Sequence, residues 1–383
     1  MIGRHEIFRL FNDRLGPCVS LYMPTRPAEL ATHEDLTRYQ NLLRGVENDL
    51  ILRGCTAANA DELLADAKAL IDDAAFWRTD GEGLALFLAP DFFVSGRLPC
   101  AVRTSYRIGR RFHVRPLLPL VDATRRFYIL ALNQDSARFF EATPHSMSEI
   151  PLDAPSEAPA MSIGRRQTEE PRKRDRGAHS TSQATSLARG HSAIRADREE
   201  ADLMHFLRSV DRQIHDQLRD QRVPLVLACV GFLASLYEGV NSYGRLLPVK
   251  VPGSPVNWST EELHAHAARI VKPYLEQDRT ELLNRFRLAA NAQLASNGVA
   301  TIATAADEAR IEILFVADNG ECSEDFEPED ESSFFDPAGD DLIEIVAGKT
   351  LLGGGSLCIV EKDSMPGGRS MAAIFRSSAA TAN

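Results

Sequence analysis

Two histidines in a basic segment, each with a glycine close by, are the residues of this sequence whose type and spacing could support catalysis. His179 follows Gly177 and Ala178, and His191 lies between Gly190 and Ser192. An imidazole can act as a general acid or base, and a neighbouring glycine lets the backbone approach a substrate closely. The alternative is that each histidine is an incidental exposed loop residue. The sequence alone identifies no general acid/base pair for them.

The segment that carries these histidines is strongly basic. Residues 161–198 contain nine Lys and Arg against four acidic residues, a net charge of +5. The segment is rich in Ser, Thr, Gly and Gln and has no apolar period, which predicts a long loop or a disordered excursion. Such a loop suits a phosphate backbone, whereas a solvated insertion that binds nothing is the alternative. The predicted RNA-binding residues are Arg165, Arg166, Arg172, Lys173, Arg174, Arg176 and Arg189.

The opposite charge bias occurs near the C-terminus. Residues 318–341 contain eleven acidic residues and no Lys or Arg, so the remainder of this 383-residue chain, whose net charge is −11, is neutral. An acidic run of this kind is typical of a solvated loop. A docking surface for a basic partner and a weak divalent-ion site are the alternatives, although the spacing does not fit an EF-hand.

Composition excludes several classes of protein. Hydrophobic residues make up 44% of the chain and charged residues 25%, values typical of globular proteins. The longest uncharged apolar stretch, from Val223 to Tyr237, has 15 residues, fewer than the roughly 20 that a membrane-spanning helix needs. The N-terminus predicts no secretory signal. The six cysteines lie at least 36 residues apart, which predicts reduced thiols in a cytoplasm and no zinc site. We expect no cofactor.

Other motifs fail on inspection. Gly348-Lys349-Thr350 resembles the end of a P-loop, but Ile343 stands where that motif requires a glycine. The chain contains no G-x-S-x-G sequence. His264 and His266 are two residues apart on a predicted helix and therefore point to different faces, which makes them poor metal co-ligands.

The elements that must position these residues form three α/β units in series. We predict an α/β (α+β) fold with domains at 1–121, 122–258 and 259–383, and a linker around Pro119 and Asp122. Ser259 or Thr260 is expected to cap a helix that is kinked or broken at Pro273. Helices are predicted around 36–50, 63–71, 203–218, 232–239 and 341–352. Strands are predicted at 18–22, 83–89, 92–95, 112–118, 127–132, 137–142, 224–230, 311–316, 357–361 and 371–375.

A set of short sequences, each weak alone, carries a resemblance to a known family. They are residues 19–25 (VSLYMPT), 80–89 (DGEGLALFLA), 112–118 (FHVRPLL), 206–211 (FLRSVD), 224–228 (PLVLA), 313–317 (ILFVA) and 365–368 (MPGG). Together they resemble the bacterial branch of the archaeo-eukaryotic peptide release factor superfamily, which includes Pelota-type rescue factors, and within that branch family 3. The resemblance extends over nearly all of the chain.

The resemblance implies an RNase H-like middle domain and a C-terminal domain similar to the kink-turn-binding ribosomal protein fold. In release factors proper, the middle domain presents a Gly-Gly-Gln loop that places water against the peptidyl-tRNA ester. This sequence contains no Gly-Gly-Gln; its nearest counterparts are Gly164 to Gln167 and Gly190-His191. The catalytic candidates are therefore Gly190 and His191, then His179, then Gln167, and we expect weak or absent hydrolysis.

Two functions follow from these observations. The first is a cytoplasmic ribosome- or tRNA-associated factor of rescue or termination type, with the basic loop contacting RNA and a translational GTPase as a candidate partner. The second is a non-catalytic adaptor that retains the scaffold without the Gly-Gly-Gln chemistry. A small-molecule enzyme on the RNase H-like domain is a third class, but it lacks a recognisable carboxylate cluster. Neither DNA nor a membrane is an expected partner.

Overall fold

The computed structural model divides the chain into two compact units, of which unit 1 comprises residues 1–125 and 276–383 and unit 2 comprises residues 126–275. In chain order, unit 2 is thus inserted between two segments of unit 1. The structure describes residues 2–12, 14, 16–26, 33–78, 81–134, 136–144, 146–153, 184–219, 221–253, 255, 258–318 and 342–376.

The fold is mixed α/β, as predicted, with three separate sheets. The helices are α1 (Arg4–Leu10), α2 (His33–Leu52), α3 (Ala57–Ala69), α4 (Ala74–Trp77), α5 (Ala184–Leu218), α6 (Gly231–Val240), α7 (Thr260–Asn291), α8 (Val299–Asp307) and α9 (Leu342–Leu352). The strands are β1 (Cys18–Pro24), β2 (Gly83–Ala89), β3 (Phe92–Leu98), β4 (Ser105–Gly109), β5 (Phe127–Leu132), β6 (Ala137–Ala142), β7 (Met147–Ile150), β8 (Leu225–Cys229), β9 (Val251–Pro252), β10 (Ala295–Ser296), β11 (Ile311–Asp318), β12 (Ser356–Glu361) and β13 (Met371–Phe375).

Unit 1 contains two four-stranded sheets. The first has the order β3-β2-β1-β4, and all its neighbouring strands are antiparallel. The second has the order β10-β13-β11-β12, in which only β11 and β12 are parallel. One hydrophobic cluster joins residues of both chain segments, including Phe87, Phe112, Ile343 and Leu357. The first and last predicted domains therefore share a core, and the division at 121 and 258 stays a prediction.

Unit 2 contains one five-stranded sheet with the order β7-β6-β5-β8-β9. Strands β5 and β6 form the predicted hairpin, whose turn is closed by a backbone hydrogen bond from Asn133 to Ser136. Strand β8 runs parallel to β5, so the chain between them must cross over, and it does so through α5. Helices α5 and α6 cover one face of the sheet, and residues 260–275 of α7 cover the other.

Several local predictions were wrong for identifiable reasons. Residues 112–118 do not form a strand; residues Arg115–Leu120 form a 3₁₀ helix, because Pro116 and Pro119 lack the N–H groups that a ladder needs. Asp122 is not in a linker but is fully buried, where its carboxylate accepts hydrogen bonds from the backbone N–H groups of Ile359 and Thr124. Strand β4 was missed because it is short and half-exposed.

Helix α7 was predicted to be kinked or broken at Pro273, yet it is one helix from Thr260 to Asn291. A proline inside a helix removes one backbone hydrogen bond. Val271 and Leu275, on either side of it, are buried, and their packing offsets that loss. The predicted cap is confirmed: the backbone N–H of Glu262 donates to Ser259 Oγ at 3.2 Å, and the Ser259 N–H donates to the Glu262 carboxylate at 2.9 Å.

Candidate nucleic-acid interface

Six of the seven predicted RNA-binding residues lie in the chain between the edge strand β7 and helix α5 of unit 2, and the seventh, Arg189, belongs to α5. Strand β7 ends at Ile150, and α5 begins at Ala184. Gln167 and His179 lie outside the described residues. The same holds for Arg165, Arg166, Arg172, Lys173, Arg174 and Arg176. Their roles in catalysis and RNA binding stay predictions.

Residues 184–198 correct the prediction of a loop, because they form the first four turns of α5. Arg189, Gly190 and His191 are therefore helical. The predicted loop extended too far because Ser and Gly in this stretch favour a loop. The strong helix formers Ala, Leu and Arg, however, supply eight of these fifteen residues. The backbone N–H groups of residues 190 and 191 lie inside the helix and are used in its i→i−4 bonds. Only the His191 side chain remains a catalytic candidate there.

The second half of α5 is fixed to the sheet by an apolar face. The buried side chains recur at helical spacing, and they pack against Tyr128 and Leu130 of β5 and Leu225 and Leu227 of β8. The helix residues are Leu203, Phe206, Leu207, Val210, Ile214 and Leu218, as the sequence predicted. The sheet thus holds the second half of α5 in place, and α5 is the element at which the connection from β7 ends.

The opposite face of α5, together with Arg219 directly after the helix, is exposed and carries five basic or imidazole side chains: His205, Arg208, Arg212, His215 and Arg219. We refer to these five residues as the α5 basic face. The sequence analysis did not predict this face, because its basic residues are much less dense than the run of arginines upstream. Its signal was present in the sequence as basic residues spaced by three and four positions, the spacing of one helix face.

A polar cluster ties this part of α5 to the segment that follows α6. Ser242 donates its backbone N–H to Asp211 Oδ1 at 2.9 Å and its hydroxyl to Asp211 Oδ2 at 2.8 Å. His215 Nδ1 lies 3.2 Å from the same hydroxyl oxygen. In a nucleophilic triad the imidazole lies between serine and carboxylate. Here the serine lies between the other two and gives its proton to the carboxylate, so the cluster orients His215 and does not activate Ser242.

A carboxylate–histidine pair lies within unit 1, where the sequence offered no signal for it. Glu344 Oε1 accepts the backbone N–H groups of Val114 and Arg115, each at 2.8 Å, and lies 2.6 Å from His113 Nδ1. Burial by itself raises the pKa of a carboxyl group, but His113, the Arg115 N–H and the charge of Arg107 outweigh burial and lower the pKa of Glu344. With three donors on one oxygen, Glu344 fixes α9 to residues 113–115.

Next to this pair is a cavity of about 250 Å³ in unit 1. Its lining is mixed and combines apolar residues such as Phe11 and Phe112 with the charged residues Lys349, Arg111 and Glu344. The Lys349 ammonium forms an ion pair with Asp307, so its charge is already compensated. The cavity offers volume but no arrangement of nucleophile and base.

The described part of the chain holds neither a candidate metal site nor a helix that could span a membrane. Within it, no group of three or more His, Cys, Asp and Glu side chains could hold a metal ion. His264 contacts the Thr143 carbonyl oxygen through Nε2 at 2.7 Å, whereas His266 lies against Trp258, so the two have different surroundings, as predicted. No helix among the described residues has the length and apolar content to cross a membrane.

Comparison with known proteins matches one part of the chain to a described family. Residues 126–310 match the family described as bacterial archaeo-eukaryotic release factor family 3. Residues 126–310 belong to that family. The match contains all of unit 2, including the basic segment and α5, and is narrower than the resemblance over nearly the whole chain expected from the sequence. Of the seven short sequences behind that expectation, those at 206–211 and 224–228 lie inside it. No match to a curated protein sequence was found.

Solved structures related to release factors also align with this chain. An archaeal translation termination factor, aRF1, aligns over 98% of this chain and 99% of its own at 16% identity, with a TM-score of 0.28. A ribosome-bound archaeal Pelota aligns over 97% and 92% at 11% identity, with a TM-score of 0.39. Dom34 from S. cerevisiae, a translation termination-like factor, aligns over 79% and 76% at 12% identity, with a TM-score of 0.36. These scores are too low to carry a functional argument.

Proposed function

We propose that this protein is a translation factor that associates with the ribosome or with tRNA, and that it contacts RNA through the basic segment 161–198. The observation that carries the proposal is the position of this segment. The segment has a net charge of +5, although the chain as a whole is acidic, and it lies inside the release-factor match at 126–310. Clustered Lys and Arg supply the salt-dependent part of nucleic-acid affinity.

The test is sedimentation of the tagged protein with ribosomes through a sucrose gradient, with and without translational stress. Changing Arg172, Lys173, Arg174 and Arg176 together to Gln should move the protein to the ribosome-free fractions. The matched control changes four exposed arginines of unit 1 to Gln and should leave sedimentation unchanged. The control residues are Arg44, Arg78, Arg287 and Arg369. If the wild type stays at the top of the gradient under both conditions, the proposal is wrong.

Peptidyl-tRNA hydrolysis is the finer question within this proposal. The sequence lacks Gly-Gly-Gln, and the helical backbone at Gly190 and His191 has no free N–H to offer an ester. Both facts favour the second candidate function, a binding factor that acts without hydrolysis. Peptide release from stalled ribosomes should therefore be weak or absent. If release does occur, His191→Ala should abolish it while ribosome binding is retained, since positioning and affinity are separable. His179→Ala and Gln167→Ala test the remaining candidates.

A further inference from the structure

The α5 basic face is the feature of the described residues that the proposed function has not used. His205, Arg208, Arg212, His215 and Arg219 are all exposed, and none of them belongs to the predicted basic segment 161–198. They recur at intervals of three and four residues, which places neighbouring Cβ atoms about 5–6 Å apart on one side of the helix. At 1.5 Å per residue, the row is about 21 Å long.

The two central arginines of this face are available to bind a ligand. Within the described part of the chain, neither Arg208 nor Arg212 forms an ion pair with an acidic side chain. Arg219 is paired with Asp216 at 2.9 Å, and both side chains are exposed, so the pair is weak and exchangeable. His215 is oriented by the hydroxyl of Ser242. Among the described residues, the face thus presents two guanidinium groups without an acidic partner, with an imidazole on either side of them.

The chemistry of the face selects the kind of partner. A helix that lies in a membrane surface inserts an apolar face, but the apolar face of α5 is buried against the sheet. The centre of a protein–protein interface is enriched in aromatic and apolar residues, and none belongs to this row. A row of guanidinium groups matches a row of phosphates, because each guanidinium can donate two N–H groups to one phosphate.

We propose that the α5 basic face binds the phosphate backbone of RNA as a second contact surface, next in the chain to the basic segment. The inference rests on the proposed association with ribosome or tRNA, because it names a further surface for the same partner. Since α5 is held by the sheet, this surface is rigid and sets the orientation in which unit 2 meets RNA.

The experiment compares two double variants of the full chain that lose the same charge. One changes Arg208 and Arg212 to Gln; the control changes Arg222 and Arg269, which are exposed elsewhere on unit 2, to Gln. Binding of a fluorescein-labelled 20-nucleotide poly(U) RNA is measured by anisotropy at several salt concentrations. For two lost single-strand phosphate contacts we expect the slope of log affinity against log salt to fall by about 1.4 and affinity at 0.1 M salt to fall about 25-fold. The control should match the wild type.

A charge-conserving variant, Arg208→Lys with Arg212→Lys, should keep most of the salt slope and rules out a folding defect. Equal binding by the two Gln variants, or absence of RNA binding by the wild type, would overturn the inference. A different partner would also overturn it. In that case the wild type, but not the Arg208/Arg212 variant, would bind phosphatidylglycerol vesicles or a peptide of residues 319–341, and the two proteins would bind RNA equally well. The proposed function is tested by a different measurement: it is wrong if the wild type does not co-sediment with ribosomes. That outcome leaves the oligonucleotide measurement valid.

Discussion

Two fully buried tyrosines differ in whether the hydroxyl group has a partner. Tyr39 donates its hydroxyl to the Ala67 carbonyl oxygen at 2.8 Å, whereas the Tyr237 hydroxyl has no partner among the described residues. Both side chains are 0% exposed. A buried polar group without a hydrogen bond costs free energy, whereas a satisfied one contributes about 1 kcal/mol.

Tyr237→Phe should therefore leave the free energy of unfolding unchanged or raise it, whereas Tyr39→Phe should lower it by about 1 kcal/mol. Urea unfolding followed by circular dichroism measures both. The two variants remove the same atom from equally buried rings, so each serves as the control for the other. Equal destabilisation by the two would mean that the Tyr237 hydroxyl has a partner.

Glu344 gives a pH-dependent prediction. Its folded pKa is lowered by His113, by the Arg115 N–H and by Arg107, so the charged form stabilises the fold above the ordinary pKa of 4.5. This contribution is lost as the pH falls through the lowered folded value. Glu344→Gln should reduce the free energy of unfolding by about 2 kcal/mol at pH 6, and the difference from the wild type should shrink below pH 4.5.

The control for this prediction is Glu361→Gln, which changes an exposed carboxylate at the end of β12. It should alter stability by less than about 0.5 kcal/mol at either pH. Unfolding curves of the wild type and both variants at pH 6 and pH 4 decide the matter. A Glu344→Gln effect that is the same at both pH values would show that shape, and not charge, ties α9 to residues 113–115.

At the level of single elements, the cap of α7 tests how well local sequence rules hold. Ser259 and Glu262 form a reciprocal pair of hydrogen bonds with each other's backbone N–H groups. Ser259→Ala should lower stability by about 1 kcal/mol. Ser235→Ala in the middle of α6, where the exposed hydroxyl only bonds back to Gly231, should change it by less than about 0.5 kcal/mol. Equal effects would contradict the capping role.

The elements that the sequence predicted correctly are those with a strong local signal. Helix α5 from residue 203 onward follows from its apolar stripe, and the end of α2 follows from Gly54, whose φ of 92° suits glycine. Residues 184–198 and 112–118 were misassigned because the first lacks an apolar period and the second is apolar but interrupted by prolines. The Glu344 pair was unpredictable, since its partners are about 230 positions away in the sequence.

At the scale of the whole molecule, the core clusters predict which parts fold alone. Both clusters of unit 2 consist entirely of residues between 126 and 275. The largest cluster of unit 1 combines residues up to Val121 with residues from Ile302 onward. A fragment of residues 126–275 should therefore fold by itself, whereas a fragment of residues 1–125 should not, because it would expose the half of its core that faces the C-terminal segment.

Heteronuclear NMR spectra of the two fragments provide the measurement: dispersed amide resonances are expected for 126–275 and collapsed ones for 1–125. Adding a fragment of residues 276–383 to the second sample is the control, because it supplies the missing half of the core. A well-dispersed spectrum of 1–125 alone would favour the division of the chain into three independent domains.

The insertion of unit 2 between the two segments of unit 1 also has a consequence for biosynthesis. The cluster that residues up to Val121 share with the C-terminal segment cannot be completed until the strands and helices after Ile302 have been made. The 150 residues from 126 to 275 are translated in between, which takes about 8–30 s at 5–20 residues per second. We therefore expect the nascent N-terminal segment to remain a chaperone client for that interval, while the inserted unit that follows it folds first.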